Sequence, residues 1–141
     1  MKIDIGGVKL WFDVEGAKLV PDGPEMKERP TLLLLHGGPG FDHSHLKLAL
    51  SELSDVAQCV FLEHRGNGRS DRCSPETWNL AQWGDDVYEF CQALGIEKPI
   101  VMGVSFGGFV AQSYAIRHPE HPAKLILSST SATLRRARIS D

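Results

Sequence analysis

No apolar run in this 141-residue chain approaches the ~20 residues that a bilayer-spanning helix needs, so a membrane protein is not expected. The opening Met-Lys-Ile-Asp-Ile alternates and carries charge, unlike a secretory leader. Cysteine is scarce. Cys59, Cys73 and Cys91 are odd in number and irregular in spacing, which excludes a disulfide framework and a zinc pattern. They read as free thiols in a reducing compartment, so the expected location is cytoplasmic. A net charge of −3 offers no basic face for nucleic acid. The cluster Arg135-Arg136-Ala137-Arg138 reads as a solvated helix start. Phosphate-binding signals are missing too: there is no G-x-x-x-x-G-K-[ST], and Gly66-Asn67-Gly68 lacks the third glycine of a dinucleotide loop. His43 and His45 are two apart and face different ways on a helix, so no metal pair is read there. Neither a metal nor a cofactor is expected.

What is present is an ordinary globular composition, 42% hydrophobic and 23% charged, enough for one domain with a core. Two alternating runs, 3–5 and 8–14, flank Gly6-Gly7 and predict a β-hairpin. Residues 16–30, with three prolines and Gly23 among charges, read as an exposed loop. Residues 31–35, a threonine and four leucines, read as a strand buried on both faces. Leu46, Leu50 and Leu53 then mark one face of a helix. A second buried strand covers 59–62. Asn79 with Gln82 resembles a capping box, and the following helix runs to Gly95 with Leu80, Trp83, Val87, Phe90 and Leu94 on its apolar face. Gly84 inside it makes room for close packing; Asp85, Asp86 and Glu89 read as a solvated face. A strand at 100–104 leads into a helix that ends before Pro119, and 124–127 reads as a fourth buried strand. Strands alternating with helices predict an α/β fold, a mostly parallel sheet with an antiparallel N-terminal hairpin.

The chain is organised around Gly103-Val104-Ser105-Phe106-Gly107, a G-x-S-x-G between a strand and a helix. Lifting a serine hydroxyl clear of the backbone requires a reversal within a few residues, in a strained conformation. The residues two before and two after then nearly touch, so Gly103 and Gly107 are needed there. The helix start aims free N–H groups at the same point. A glycine-rich turn with an idle serine would look similar. However, His36-Gly37-Gly38-Pro39-Gly40 and Glu63-His64-Arg65-Gly66 also follow strands, so all three stretches should meet at one rim of the sheet.

These motifs resemble the α/β-hydrolases, and within them the proline iminopeptidase group. The features that carry the resemblance are His36-Gly37-Gly38-Pro39-Gly40, His64-Arg65-Gly66-Asn67-Gly68-Arg69-Ser70 and Gly103-Val104-Ser105-Phe106-Gly107-Gly108. Glu63 departs from the pattern, which usually has Asp. The resemblance implies that Ser105 is the nucleophile and that Gly38 and Phe106 supply oxyanion-hole N–H groups. His36, Gly37, Pro39, Gly40, His64 and Arg65 would be structural residues of the site loops, with Arg65 to Ser70 a structural turn beside the site. The reaction implied is release of an N-terminal residue, typically proline, from a small peptide through an acyl-enzyme. Esters and lactones are alternative substrates, and a non-catalytic binding module is another reading.

The family's triad continues from Ser to an acid and then a His on later strands. After Ser105 the only histidines are His118 and His121, past a helix of about a dozen residues that spans roughly 18 Å. Proton transfer needs roughly 3 Å. The acids Glu120 and Asp141 are no better placed. Residues 1–131 therefore read as the N-terminal half of an α/β-hydrolase core, and 132–141 as the start of a cap or a disordered tail. The last strand would expose an open edge. The expected partner is a second chain carrying the missing acid and histidine, or another copy of this chain on that edge.

Overall fold

A computed structural model describes residues 1–133. The tail expected from residue 132 onward, with its arginine cluster, lies from 134 on outside the described residues. The strands are β1 (Lys2–Asp4), β2 (Lys9–Glu15), β3 (Leu19–Asp22), β4 (Glu25–Glu28), β5 (Thr31–Leu35), β6 (Gln58–Leu62), β7 (Ile100–Val104) and β8 (Lys124–Ser128). The helices are α1 (Ser44–Leu50), α2 (Leu80–Leu94) and α3 (Phe106–Arg117). The main sheet has six strands in the order β1-β2-β6-β5-β7-β8. β6, β5, β7 and β8 are parallel, and the β1–β2 hairpin joins antiparallel at one side.

β5 explains the layering. Its side chains alternate between faces, and both faces are covered. Leu33 and Leu35 join Phe12, Val60, Trp83, Phe90, Val101 and Tyr114 beneath α2 and α3. Leu32 and Leu34 join Leu46, Cys59 and Phe61 beneath α1. Each fully buried leucine contributes about 1.5–3 kcal/mol of burial. Register then sets the rim: Leu35 pairs with Leu62 on one side and Gly103 on the other. The residues that follow these three therefore leave the sheet at one level.

α2 starts where Asn79 accepts a hydrogen bond from Gln82 N and ends at Gly95, whose φ of 66° is left-handed. The reciprocal half of the capping box is absent, because the Gln82 amide donates to Asp86 instead. A Cβ on Gly84 would lie 2.7 Å from Ser113 Oγ and 2.9 Å from Tyr114 N, so this glycine sets how closely α2 passes α3.

The structure corrects four expectations. Residues 16–30 hold a hairpin, β3 with β4, turning at Gly23-Pro24. It buries no face, so it leaves no alternating apolar signal, and a two-stranded ribbon tolerates Pro21. The helix after β5 is short: α1 passes into a 3-10 turn, Ser51–Asp55, though Leu46, Leu50 and Leu53 still pack on one face. β8 is not a buried strand, because among the described residues it pairs only with β7 and leaves Ile126 and Leu127 more than two-fifths exposed. Asp86 is not solvated but 3% exposed. No helix among the described residues is long and apolar enough to cross a membrane.

Candidate active site

Ser105 sits between β7 and α3 at φ 53°, ψ −118° and is exposed at the rim. A β-carbon-bearing residue at this φ costs about 1–3 kcal/mol, which the surroundings must offset. They do so from three sides. Ser105 N–H donates to Ser128 O (2.9 Å), tying the turn to the end of β8. Ser105 O accepts from Gly108 N (2.9 Å), closing the first turn of α3. The Phe106 ring packs edge-on against Trp83 and His64, with centroids 5.0 and 5.7 Å away.

The glycines are steric requirements. A Cβ on Gly103 would lie 2.3 Å from Gly107 O, and one on Gly107 would lie 2.2 Å from Leu35 O. Both are impossible against backbone. The bare Cα of Gly108 receives the Thr130 side chain, from beyond β8.

The loop after β5 lies against this turn. A Cβ on Gly37 would sit 3.5 Å from both Ser105 Cβ and Val104 O. Gly38 has φ 126° and folds under Gly40 N and Phe41 N, each 3.1 Å from where its Cβ would be. Pro39 and Gly40 are exposed on the outside of the loop. Among the described residues the amides of Gly38 and Phe106 have no hydrogen-bond partner. Phe106 opens α3, so its amide belongs to the positive end of that helix.

The rim histidines are not free bases. His36 Nε2 accepts from His64 N–H (3.2 Å), which leaves the proton on Nδ1, 2.6 Å from Gly37 O. His64 Nε2 in turn faces His36 O at 3.2 Å, and the two rings lie 4.3 Å apart. Burial pushes both imidazoles below their ordinary pKa, and the neighbouring His36 lowers His64 further. Both are held neutral as struts between loops.

Arg65 is also buried. Its guanidinium makes two 2.8 Å bonds to Asp86 of α2, while its carbonyl accepts from Trp83 Nε1 (3.0 Å) and Asn67 Nδ2 (2.9 Å). Sequence reasoning misread Asp86 as solvated, and it placed Asn67 and Glu63 in this loop without showing what they bond. The buried Glu63 carboxylate accepts from the amides of Arg69 (2.9 Å) and His43 (3.2 Å) and faces His43 Nδ1 at 3.2 Å. A Cβ on Gly68 would strike it at 2.4 Å. Asp42, His43 and Glu63 bring one potential metal-ligand atom each within 4.8 Å of one another. Glu63 and His43 are already committed to one another and to the loop backbone. An open cleft of about 380 Å³ lies between the two loops, lined by Phe41, Asp42, His45 and Arg72 among others.

His118 and His121 are occupied far from the rim, beyond the C-terminal end of α3. His118 Nε2 bonds Asp85 (2.8 Å) and its ring stacks on Tyr88. His121 bonds the Tyr114 hydroxyl and faces Ile96 O. The rim thus presents a strained, exposed hydroxyl beside two unpaired amides, with no uncommitted histidine among the described residues that is placed to take its proton. A hydroxyl held this way can attack a carbonyl carbon once a base is supplied.

Comparison with known proteins agrees with this architecture. The sequence profile described as alpha/beta hydrolase fold matches residues 30–140. The chain is 38% identical over 126 residues to proline iminopeptidase PfmaB of Pestalotiopsis fici, covering 86% of this chain and 43% of that protein. It is 32% identical over 100 residues to epoxide hydrolase 1 of Caenorhabditis elegans, covering 70% of this chain and 24% of that one. Among solved structures, a proline iminopeptidase-related protein from Thermus thermophilus superposes with a TM-score of 0.78 at 26% identity, over 92% of this chain and 45% of that one. The chain spans less than half the length of these relatives. The profile runs through all three rim loops, from before His36 to beyond Ser105, and on that ground the chain belongs to the α/β-hydrolase fold family.

Proposed function

We propose that this chain carries the nucleophile of a serine hydrolase working through an acyl-enzyme. Ser105 Oγ attacks the substrate carbonyl carbon as a base takes its proton. The N–H groups of Gly38 and Phe106 then receive the oxyanion, assisted by the N-terminal end of α3. The tetrahedral intermediate breaks its C–N bond, and the amine leaves with the proton the base took. Water attacks the acyl-enzyme by the same route in reverse and frees Ser105. Gly103 and Gly107 allow the turn, while His36, Gly37, Pro39, Gly40, His64 and Arg65 shape the two loops beside it.

The observation that carries this reading is the backbone of Ser105, held at φ 53° on the rim although its side chain makes no capping bond to α3. Strain of this kind persists where a reactive group must be presented. The proposed substrate is a peptide with an N-terminal proline or similar residue, because proline iminopeptidases recur among the relatives. The proposed setting is the cytoplasm, with no nucleic-acid or membrane partner. The base and its acid come from outside the described residues. The polypeptide that supplies them, or a second copy of this chain, covers the open edge of β8, where Ile126 and Leu127 are exposed.

A panel of prolyl amides, lactones and simple esters, assayed with the complementing polypeptide present, tests the proposal. Turnover of prolyl amides that Ser105→Ala abolishes is expected. Preference for lactones or esters would move the substrate class and keep the nucleophile. Undiminished turnover in Ser105→Ala would remove Ser105 from the chemistry.

A further inference from the structure

We infer that Asn67 is a positioning residue for the Gly38 amide, an inference that rests on the oxyanion role proposed above. The loop carrying Gly38 is tied to its neighbour on either side of Gly38, and again at its entry to α1, where His43 N–H donates to Glu63 Oε2 (3.2 Å). At its base, His36 and His64 exchange contacts: His64 N–H donates to His36 Nε2, and His64 Nε2 faces His36 O. At its tip, Gly40 N–H donates to Asn67 Oδ1 at 2.5 Å. Gly38 lies between the two clamps and folds directly under Gly40 N and Phe41 N. The direction of its amide is therefore set by where Gly40 is held.

Asn67 is built to hold it. The residue is only 2% exposed. Its Nδ2 donates to Arg65 O (2.9 Å), which fixes which end of the amide faces Gly40. Its own N–H donates to His64 O (2.9 Å), and its carbonyl accepts from Ser70 N (3.1 Å). Through Arg65 it is braced against Asp86 on α2. A rigid path thus runs from a helix in the core to the tip of the Gly38 loop. The loop has no other side-chain bond at its tip among the described residues, so losing Asn67 frees the tip and leaves the base clamp intact.

The test compares Asn67→Ala, which removes the acceptor, with Asn67→Asp, which keeps an acceptor for Gly40. Amide exchange is read in the ¹⁵N-labelled chain, and kinetics in the complemented enzyme. In Asn67→Ala the Gly40 amide should exchange at least tenfold faster and the Gly38 resonance should shift, while protection in β5 and β7 holds. kcat should fall roughly tenfold to a hundredfold with KM within about twofold, as expected for a misplaced transition-state donor. Asn67→Asp should recover most of both losses. Unchanged Gly40 exchange in Asn67→Ala would overturn the inference whether or not the enzyme turns over. So would a full kcat in Asn67→Ala while Ser105→Ala is inactive. If Ser105→Ala stays active, the functional proposal fails, and the exchange data still decide what Asn67 holds.

Discussion

Removing the Asp86 carboxylate should be the most damaging single change outside the apolar core. Asp86 accepts both 2.8 Å bonds from Arg65 and a 2.9 Å bond from Gln82 Nε2. The two charged side chains are only 9% and 5% exposed. Asp86→Ala leaves a guanidinium, which cannot lose its proton, without a counter-charge in a site closed to water. Breaking a buried pair this way costs about 3–5 kcal/mol, against about 5–15 kcal/mol for the whole fold. For a chain of this size that corresponds to a fall in Tm of about 10–20 °C. Asp86→Asn keeps the shape and one acceptor and should cost less. The double change Arg65→Met with Asp86→Leu removes the orphan charge and should recover most of the loss. Urea unfolding followed by circular dichroism gives the free energies. The Asp86→Ala loss should also hardly change between low and high salt, because the pair lies out of reach of screening. A loss under about 1 kcal/mol that vanishes in salt would mean that the pair is exposed and solvated, not buried.

Gly107→Ala should behave as a clash: the new Cβ would lie 2.2 Å from Leu35 O, on strand backbone that cannot yield. A destabilisation of about 1–3 kcal/mol, with loss of Ser105 reactivity beyond the loss of folded protein, is expected by urea unfolding and active-site titration. Stability should fall as pH drops below about 6.5. His36 and His64 are neutral in the fold, so their pKa values lie below those of the unfolded chain. The unfolded state binds more protons between the two values, so the contribution is complete above the unfolded pKa and is lost as pH falls toward the folded ones. A pH series of Tm on His36→Gln should show a shallower slope in that window; an equal slope would contradict the assignment. At the β8 edge, light scattering should find the chain self-associated or complexed, and Ile126→Lys should weaken that association. A monomer whose β8 amides exchange freely would count against a covered edge.

The parts of the fold legible in the sequence were those where one residue type had a single physical use. Four leucines in Thr31–Leu35 suit only a strand covered on both faces, and two cores meet there. Gly103 and Gly107 could be read because their Cβ atoms have nowhere to go. Gly95 and Asn79 end and start α2 as cap chemistry dictates. Contacts that cross between elements stayed hidden. Asp86 sits beside Asp85 in the chain, yet one bonds buried Arg65 and the other bonds exposed Arg117. Helical spacing alone could have separated them, because Asp86 lies three residues after Trp83, on the apolar face. Asn67 was legible as part of the turn from Arg65 to Ser70, but its partner Gly40 is 27 residues away. β8 looked buried because its leucines and isoleucine are apolar, but composition does not reveal whether a sheet continues past a strand.

Whether the chemistry runs through the Ser105 hydroxyl is read by mass mapping after treatment with a fluorophosphonate probe. One covalent adduct is expected on the complemented enzyme, located on Ser105 and absent from Ser105→Ala. An adduct that persists in Ser105→Ala, or an enzyme that turns over substrate while Ser105 stays unmodified, would contradict a Ser105 nucleophile.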